Sequence, residues 1–204
     1  MFKTLLPLSA LAFGVLATAA LAQDTTTSET PAEAPTASGQ LLDLGQPVGG
    51  EPQLGERYAK SEHGDWTLAC IKTELETDPC SLLQILKDET GNPVAEVSLF
   101  RIEGGGQAVA GATVIVPLET LLPAQLTVSV DGAPGKRYGY SFCNPIGCIA
   151  QIGLTAEDIA AFKKGNAATV SLVPAPAPDQ RISLAMSLKG FTAGYDTVDV
   201  VSNN

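Results

Sequence analysis

Two stretches of the chain alternate apolar and small polar residues with a period of two. Leu126, Val128 and Val130 interleave with Thr127, Ser129 and Asp131. Ile182, Leu184, Met186 and Leu188 interleave with Ser183, Ala185 and Ser187. That period puts one set of side chains on a single face, so each stretch predicts a strand with one buried side. Residues 65–71, 80–86, 94–101, 112–116, 138–143, 149–152 and 168–173 are further short runs of this kind. Turn formers separate them, most clearly Thr90-Gly91-Asn92-Pro93 and Asp131-Gly132. About nine short strands predict an all-β fold, a two-layer antiparallel sandwich or a barrel. Aromatic residues are only 5% of the chain, so the core must come from Val, Leu, Ile and Ala.

One segment breaks the pattern. Thr155 reads as a helix N-cap followed by Glu157 and Asp158, acids that favour the positive end of the helix dipole. Ile159 and Phe162 share a face, Lys163 and Lys164 occupy the last turn, and Gly165 suits a left-handed cap. The expectation is one short helix held to the sandwich by Ile159 and Phe162.

The first 22 residues have the form of a secretory signal peptide: Lys3, an uncharged apolar stretch, then Ala20-Leu21-Ala22 before Gln23. The apolar run contains Pro7 and is shorter than the roughly 20 residues a membrane span needs. Gln23 rather than cysteine follows, which argues against a lipoprotein anchor. Residues 23–56, rich in Pro, Thr and Ala and acidic, read as a disordered linker, since so few apolar residues cannot offset the entropy of ordering. The domain is expected over 57–197, with 198–204 as a C-terminal tail. Localisation follows as periplasmic, secreted or cell-surface, with no integral membrane span after signal cleavage. With 12 basic against 22 acidic residues the net charge is −10, which argues against nucleic acid as a partner.

Cys70, Cys80, Cys143 and Cys148 admit three pairings. Export favours disulfides. The spacings Cys-x9-Cys and Cys-x4-Cys lack the short knuckles of a zinc site, so no metal is expected. The favoured pairs are Cys70–Cys80 and Cys143–Cys148, each closing a tight loop between consecutive strands. The rival pairing, Cys70–Cys143 with Cys80–Cys148, would pin two sheets together. Trp66 precedes the first cysteine rather than lying between two, unlike the antibody arrangement.

No catalytic template is complete. His63 is the single histidine, in the turn-like Glu62-His63-Gly64-Asp65 expected just before the first strand, and Gly-x-Ser-x-Gly is absent. Gly104-Gly105-Gly106 lacks the Gly-Lys-Ser/Thr ending of a phosphate loop and reads as a hairpin loop. No catalytic residue and no cofactor is assigned. Lys136, Arg137, Tyr138 and Tyr140 form the one local mix of basic and aromatic residues, a candidate surface for a sugar or peptide. Against that, Tyr138, Tyr140 and Phe142 share a face by period two, which makes them candidates for the core.

Taken together, His63-Gly-Asp-Trp66, Cys70, Cys80, Val116-Pro-Leu118, Leu122-Pro123, Val130-Asp-Gly132, Cys143, Gly147-Cys148 and Ser187-Leu-Lys-Gly-Phe191 resemble the invasion-associated locus B (IalB) family of exported alphaproteobacterial proteins. The resemblance implies an immunoglobulin-like antiparallel β-sandwich, with Trp66 and Phe191 as framework and no catalytic residues to carry over. The expected function is a non-enzymatic envelope or surface module that binds a protein or an envelope component, with a role in host-cell contact. The alternatives are an envelope-polymer hydrolase using carboxylates brought together by folding, or a periplasmic redox or chaperone helper using Cys143–Cys148.

Overall fold

The computed structural model describes residues 50–103 and 106–202; the predicted signal peptide and the linker up to residue 49 lie outside them. In chain order the elements are β1 (Arg57–His63), β2 (Trp66–Ile71), β3 (Cys80–Lys87), β4 (Pro93–Glu103), β5 (Ala108–Val116), β6 (Leu126–Val130), β7 (Lys136–Tyr138), β8 (Phe142–Asn144), β9 (Gly147–Thr155), α1 (Ala156–Lys164), β10 (Ala167–Leu172), β11 (Ile182–Ser187), α2 (Phe191–Thr197) and β12 (Val200–Ser202). One sheet runs β1-β2-β3-β4-β5-β9-β8, with β12 joined to β4; the other runs β11-β10-β6-β7. Every pairing is antiparallel except β12 with β4. This is an all-β sandwich.

The period-two reading explains the interior. Leu82, Gln84 and Leu86 of β3, Ala95, Val97 and Leu99 of β4, and Ala112, Val114 and Val116 of β5 point inward. From the second sheet Leu126, Val170, Leu184 and Met186 meet them. Each Val, Leu or Met side chain among them contributes roughly 1.5–3 kcal/mol on burial. Large aromatics enter only at one end, where Trp66, Phe162 and Phe191 pack edge to face at 5.5 and 5.4 Å between centroids.

Helix α1 is capped as its sequence implies. Thr155 accepts the Asp158 N–H at 3.3 Å while the Asp158 carboxylate accepts from the Thr155 N–H at 3.0 Å, a reciprocal capping box. Gly165 corrects the expectation of a left-handed cap: its φ is −76°, ordinary extended backbone. Glycine is required there for space, since a Cβ would meet Val130 Cγ1 at 2.7 Å and Leu188 Cδ1 at 2.9 Å.

Four other expectations need revision. There are two helices, not one: α2 was invisible because Phe191-Thr-Ala-Gly-Tyr-Asp-Thr has poor helix propensity and is held by packing of Phe191, Gly194 and Tyr195. Residues 57–63 form edge strand β1, so His63 ends a strand instead of preceding the first. The run 138–143 is not one strand. Gly139 to Ser141 carries the chain from the four-stranded to the eight-stranded sheet, leaving Tyr138 and Tyr140 half-buried and Phe142 50% exposed. Finally, residues 200–202, read as part of a tail, continue the sheet beside β4 where β3 stops, anchored by Asp199, whose carboxylate accepts the Cys80 N–H at 2.6 Å. At the other boundary, Gly55 and Glu56 already exchange backbone hydrogen bonds with Lys72.

Candidate functional site

The two motifs that flank the domain, His63-Gly-Asp-Trp66 and Ser187-Leu-Lys-Gly-Phe191, lie against each other. The Trp66 indole N–H donates to the Ser187 carbonyl at 2.8 Å, and Trp66 is 0% exposed. Gln84, from the middle of β3, donates to the Asp65 and Ser187 carbonyls at 3.1 and 3.0 Å and accepts the Ser187 N–H at 2.8 Å. The Ser187 hydroxyl donates to the Asp65 carboxylate at 2.6 Å, and the Asp65 N–H donates to the Lys189 carbonyl at 3.1 Å. Every donor and acceptor of the Gln84 side chain is thereby matched. A fully satisfied buried network rigidifies and specifies a core. The chain backbones touch here: Gly64 and Gly190 both have positive φ, and a Cβ on Gly190 would overlap the His63 carbonyl. Trp66 and Phe191 occupy this clasp, as joint between the sheets.

Both disulfides lie within one sheet. Cys70 faces Cys80 across β2 and β3, and Cys143 faces Cys148 across β8 and β9, each with a Cα separation of 4.0 Å. Cys70 and Cys80 are buried, whereas Cys143 is exposed and its partner Cys148 is buried. Thiol exchange requires access to a sulfur. Titration with a small dithiol should therefore reduce Cys143–Cys148 well before Cys70–Cys80; mass mapping of alkylated peptides checks the order.

The Lys136, Arg137, Tyr138 and Tyr140 group does not form one surface. Strand alternation in β7 sends Lys136 and Tyr138 toward α1, where they line a 130 Å³ cavity with Phe162 and Asp158. Lys136 pairs with Asp158 at 2.7 Å. Burial pushes the Asp158 carboxyl up, but the Lys136 ammonium and the Thr155 hydrogen bonds reverse this and leave it below the usual range. Tyr140 has a buried hydroxyl with no hydrogen-bond partner, and burial lifts its pKa to about 12. Arg137 points the other way, to the outside of the four-stranded sheet.

Sequence reasoning missed a broad concave surface. On the outside of the eight-stranded sheet, Arg57, Ile85, Pro93, Ile115, Pro117 and Ile146 line an open groove of about 480 Å³. Ile146 is 69% exposed, in the loop closed by Cys143–Cys148. Arg57 crosses the sheet to Glu96 at 2.9 Å, so the charge in the groove is paired. The only advance signal was an apolar Ile146 in an Asn-Pro-Ile-Gly turn, where a polar residue is usual.

The acidic groups are held by turns and caps. Asp78 drops to about 2, chiefly because it accepts the Thr73 N–H, and Asp88 drops to about 2, chiefly through the Thr90 hydroxyl. Asp131 is lowered by the Ala167 and Asn166 N–H groups. These pKa values lie below the unfolded ones. The stability these groups add is therefore fully present above the ordinary carboxylate range and is lost as pH falls from about 4 toward 2. Carbon-detected NMR titration should show the Asp78 and Asp88 carboxyls still ionised at pH 3, with melting temperature falling as pH drops from about 4 toward 2. His63 Nε2 lies 3.0 Å from the Ser61 hydroxyl and 3.4 Å from that of Thr197. Among the described residues no three His, Cys, Asp or Glu side chains are grouped to hold a metal ion, and no helix is long and apolar enough to cross a membrane.

Comparison with known proteins adds three findings. The sequence model of the family described as "Invasion associated locus B (IalB) protein" matches residues 66–199. Proteins named "Invasion protein B homolog" from Brucella abortus strain 2308 and from Brucella abortus biovar 1 strain 9-941 are each 28% identical over 155 residues, covering 76% of this chain and 84% of the relative. The crystal structure of invasion associated protein b from Bartonella henselae superposes with a TM-score of 0.55 at 22% identity, covering 65% of this chain and 89% of that one. The match begins at Trp66 and includes all four cysteines, Gln84 and the Ser187–Phe191 motif, so both bridges and most of the clasp fall within it, while His63, Gly64 and Asp65 immediately precede it.

Proposed function

The chain belongs to the invasion associated locus B family, and from that premise we propose that it is an exported, non-enzymatic binding module of the bacterial envelope or cell surface, with a part in host-cell contact. The groove outside the eight-stranded sheet is the observation that carries this reading. Contiguous exposed apolar surface on a folded domain marks an interaction site. Ile85, Ile115 and Ile146 supply it, the paired Arg57 and Glu96 leave it without net charge, and the partner it suits is a protein. Export is supported by the signal-peptide pattern of residues 1–22 and by two disulfides, which persist in oxidising compartments. The non-enzymatic part is supported by the carboxylates: those with displaced pKa values are all lowered by structural hydrogen bonds, opposite to the raised value a general acid needs.

Replacing Ile85 and Ile146 together by Glu should abolish binding of the purified chain to cultured host cells or to envelope preparations while changing the melting temperature little, because both side chains are exposed. Retained binding by this variant sinks the proposal. A redox helper remains the second reading because Cys143 is exposed. Turnover of a disulfide-bonded substrate, lost on Cys143→Ser, would favour it over binding.

A further inference from the structure

The outer face of the four-stranded sheet carries hydroxyls and cations. Registers place Arg137 of β7 opposite Thr127 of β6, Thr127 opposite Ser171 of β10, and Ser171 opposite Ser183 of β11. The Ser171 and Ser183 hydroxyls are 3.1 Å apart. Next to this row, Ser129 faces Thr169. Arg181, just before β11, reaches back across the sheet so that Nη1 lies 3.4 Å from the Thr127 hydroxyl. Two guanidinium-bearing side chains from opposite edges thus flank one threonine. Both arginines are exposed, and neither has a salt bridge among the described residues, in a chain where acidic residues outnumber basic ones 22 to 12. Asp131, at the end of β6, is already engaged by the backbone of Asn166 and Ala167.

We infer that this face binds an acidic polysaccharide, with Arg137 and Arg181 holding a carboxylate or sulfate over Thr127, and with Ser183, Ser129 and Thr169 meeting sugar hydroxyls while the buried Ser171 orients Ser183 from beneath. Guanidinium forks pair with such oxyanions in bidentate fashion. Small hydroxylated side chains leave the sheet flat enough for a sugar ring. The outward positions named here include no aromatic side chain, so they offer no platform for the base stacking that single-stranded nucleic acid uses. They include no large apolar side chain either, so they offer no wedge for a lipid interface. The surplus negative charge elsewhere on the chain is screened over about 8–10 Å at physiological salt, so capture is local and sensitive to salt. This site lies on the opposite sheet from the groove and stands or falls separately from it.

The test measures the purified full chain on immobilised heparin, neutral dextran and single-stranded DNA at low salt, by surface plasmon resonance. Binding to heparin alone is expected. Arg137→Gln and Arg181→Gln should each weaken it about tenfold, the scale of one charge-assisted hydrogen-bonded contact, and the double variant more. Lys164→Gln removes the same charge elsewhere and should leave binding within about twofold. All four variants alter exposed side chains, and a thermal melt confirms that they fold. No binding to heparin, equal loss in Lys164→Gln, or comparable binding to DNA would each overturn the assignment.

Discussion

Gly190→Ala should lower the unfolding free energy by about 3–5 kcal/mol, among the larger effects a single methyl can have. Gly190 has a φ of +84°, and that left-handed conformation alone costs an L side chain roughly 1–2 kcal/mol. The added Cβ would also overlap the His63 carbonyl, which is backbone and cannot turn aside. Relief requires the end of β1 at His63 and the turn at Lys189 to separate, and that pulls on the hydrogen bonds among Asp65, Gln84 and Ser187. For a domain of this size the melting temperature should fall by roughly 10 °C or more. Gly139→Ala is the matched control, since its Cβ would meet nothing within 4 Å. Equal stability of the two variants in chemical denaturation would show that the motifs do not clasp.

Removing the buried bridge is the second large effect. Cys70 and Cys80 close a loop with a sequence separation of 10, for which chain-entropy reasoning gives about 3 kcal/mol of stabilisation. Both sulfurs lie in the core cluster with Trp66 and Leu82, so a Cys70→Ala, Cys80→Ala double variant also loses packed volume. The Cys143–Cys148 bridge closes a shorter loop, with a separation of 5, at the sheet edge, and its removal should cost less. Urea titrations of the two double variants compare them directly; a larger loss for the edge bridge would contradict the burial argument.

How far the sequence reveals this molecule depends on whether the determining contacts are local. Strands β6 and β11 were legible because one face of each is buried and the alternation is unbroken. Helix α1 was legible because Thr155 and Asp158 cap it within three residues. Helix α2 and the terminal β12 were not, because each is held by distant partners: α2 by Leu82 and the aromatic cluster, β12 by β4. Edge strand β1 was not because, although its partner β2 is next in the chain, Arg57–His63 has no alternating apolar face to mark it. Period two failed at Tyr138 to Phe142 because alternation assumes one strand in one sheet, and here the chain changes sheets. The Lys136 and Arg137 pair misled for a related reason. Neighbours on a strand point to opposite sides, so Arg137 finds its partner in Arg181, 44 positions later in the chain. The groove residues Ile85, Ile115 and Ile146 come from separate strands and a loop, and only folding brings them together.

The clasp predicts one readily measured quantity. Trp66 is the chain's single tryptophan, so its indole N–H gives one unambiguous signal in a nitrogen–proton correlation spectrum. That proton is buried and bonded across the joint to Ser187. Its hydrogen exchange should be as slow as that of the most protected amides in β3 and β10, with an opening free energy equal to that of global unfolding. Exchange within seconds in neutral buffer, or an opening energy far below the global value, would mean that the two sheets part at this point while the rest of the domain stays folded.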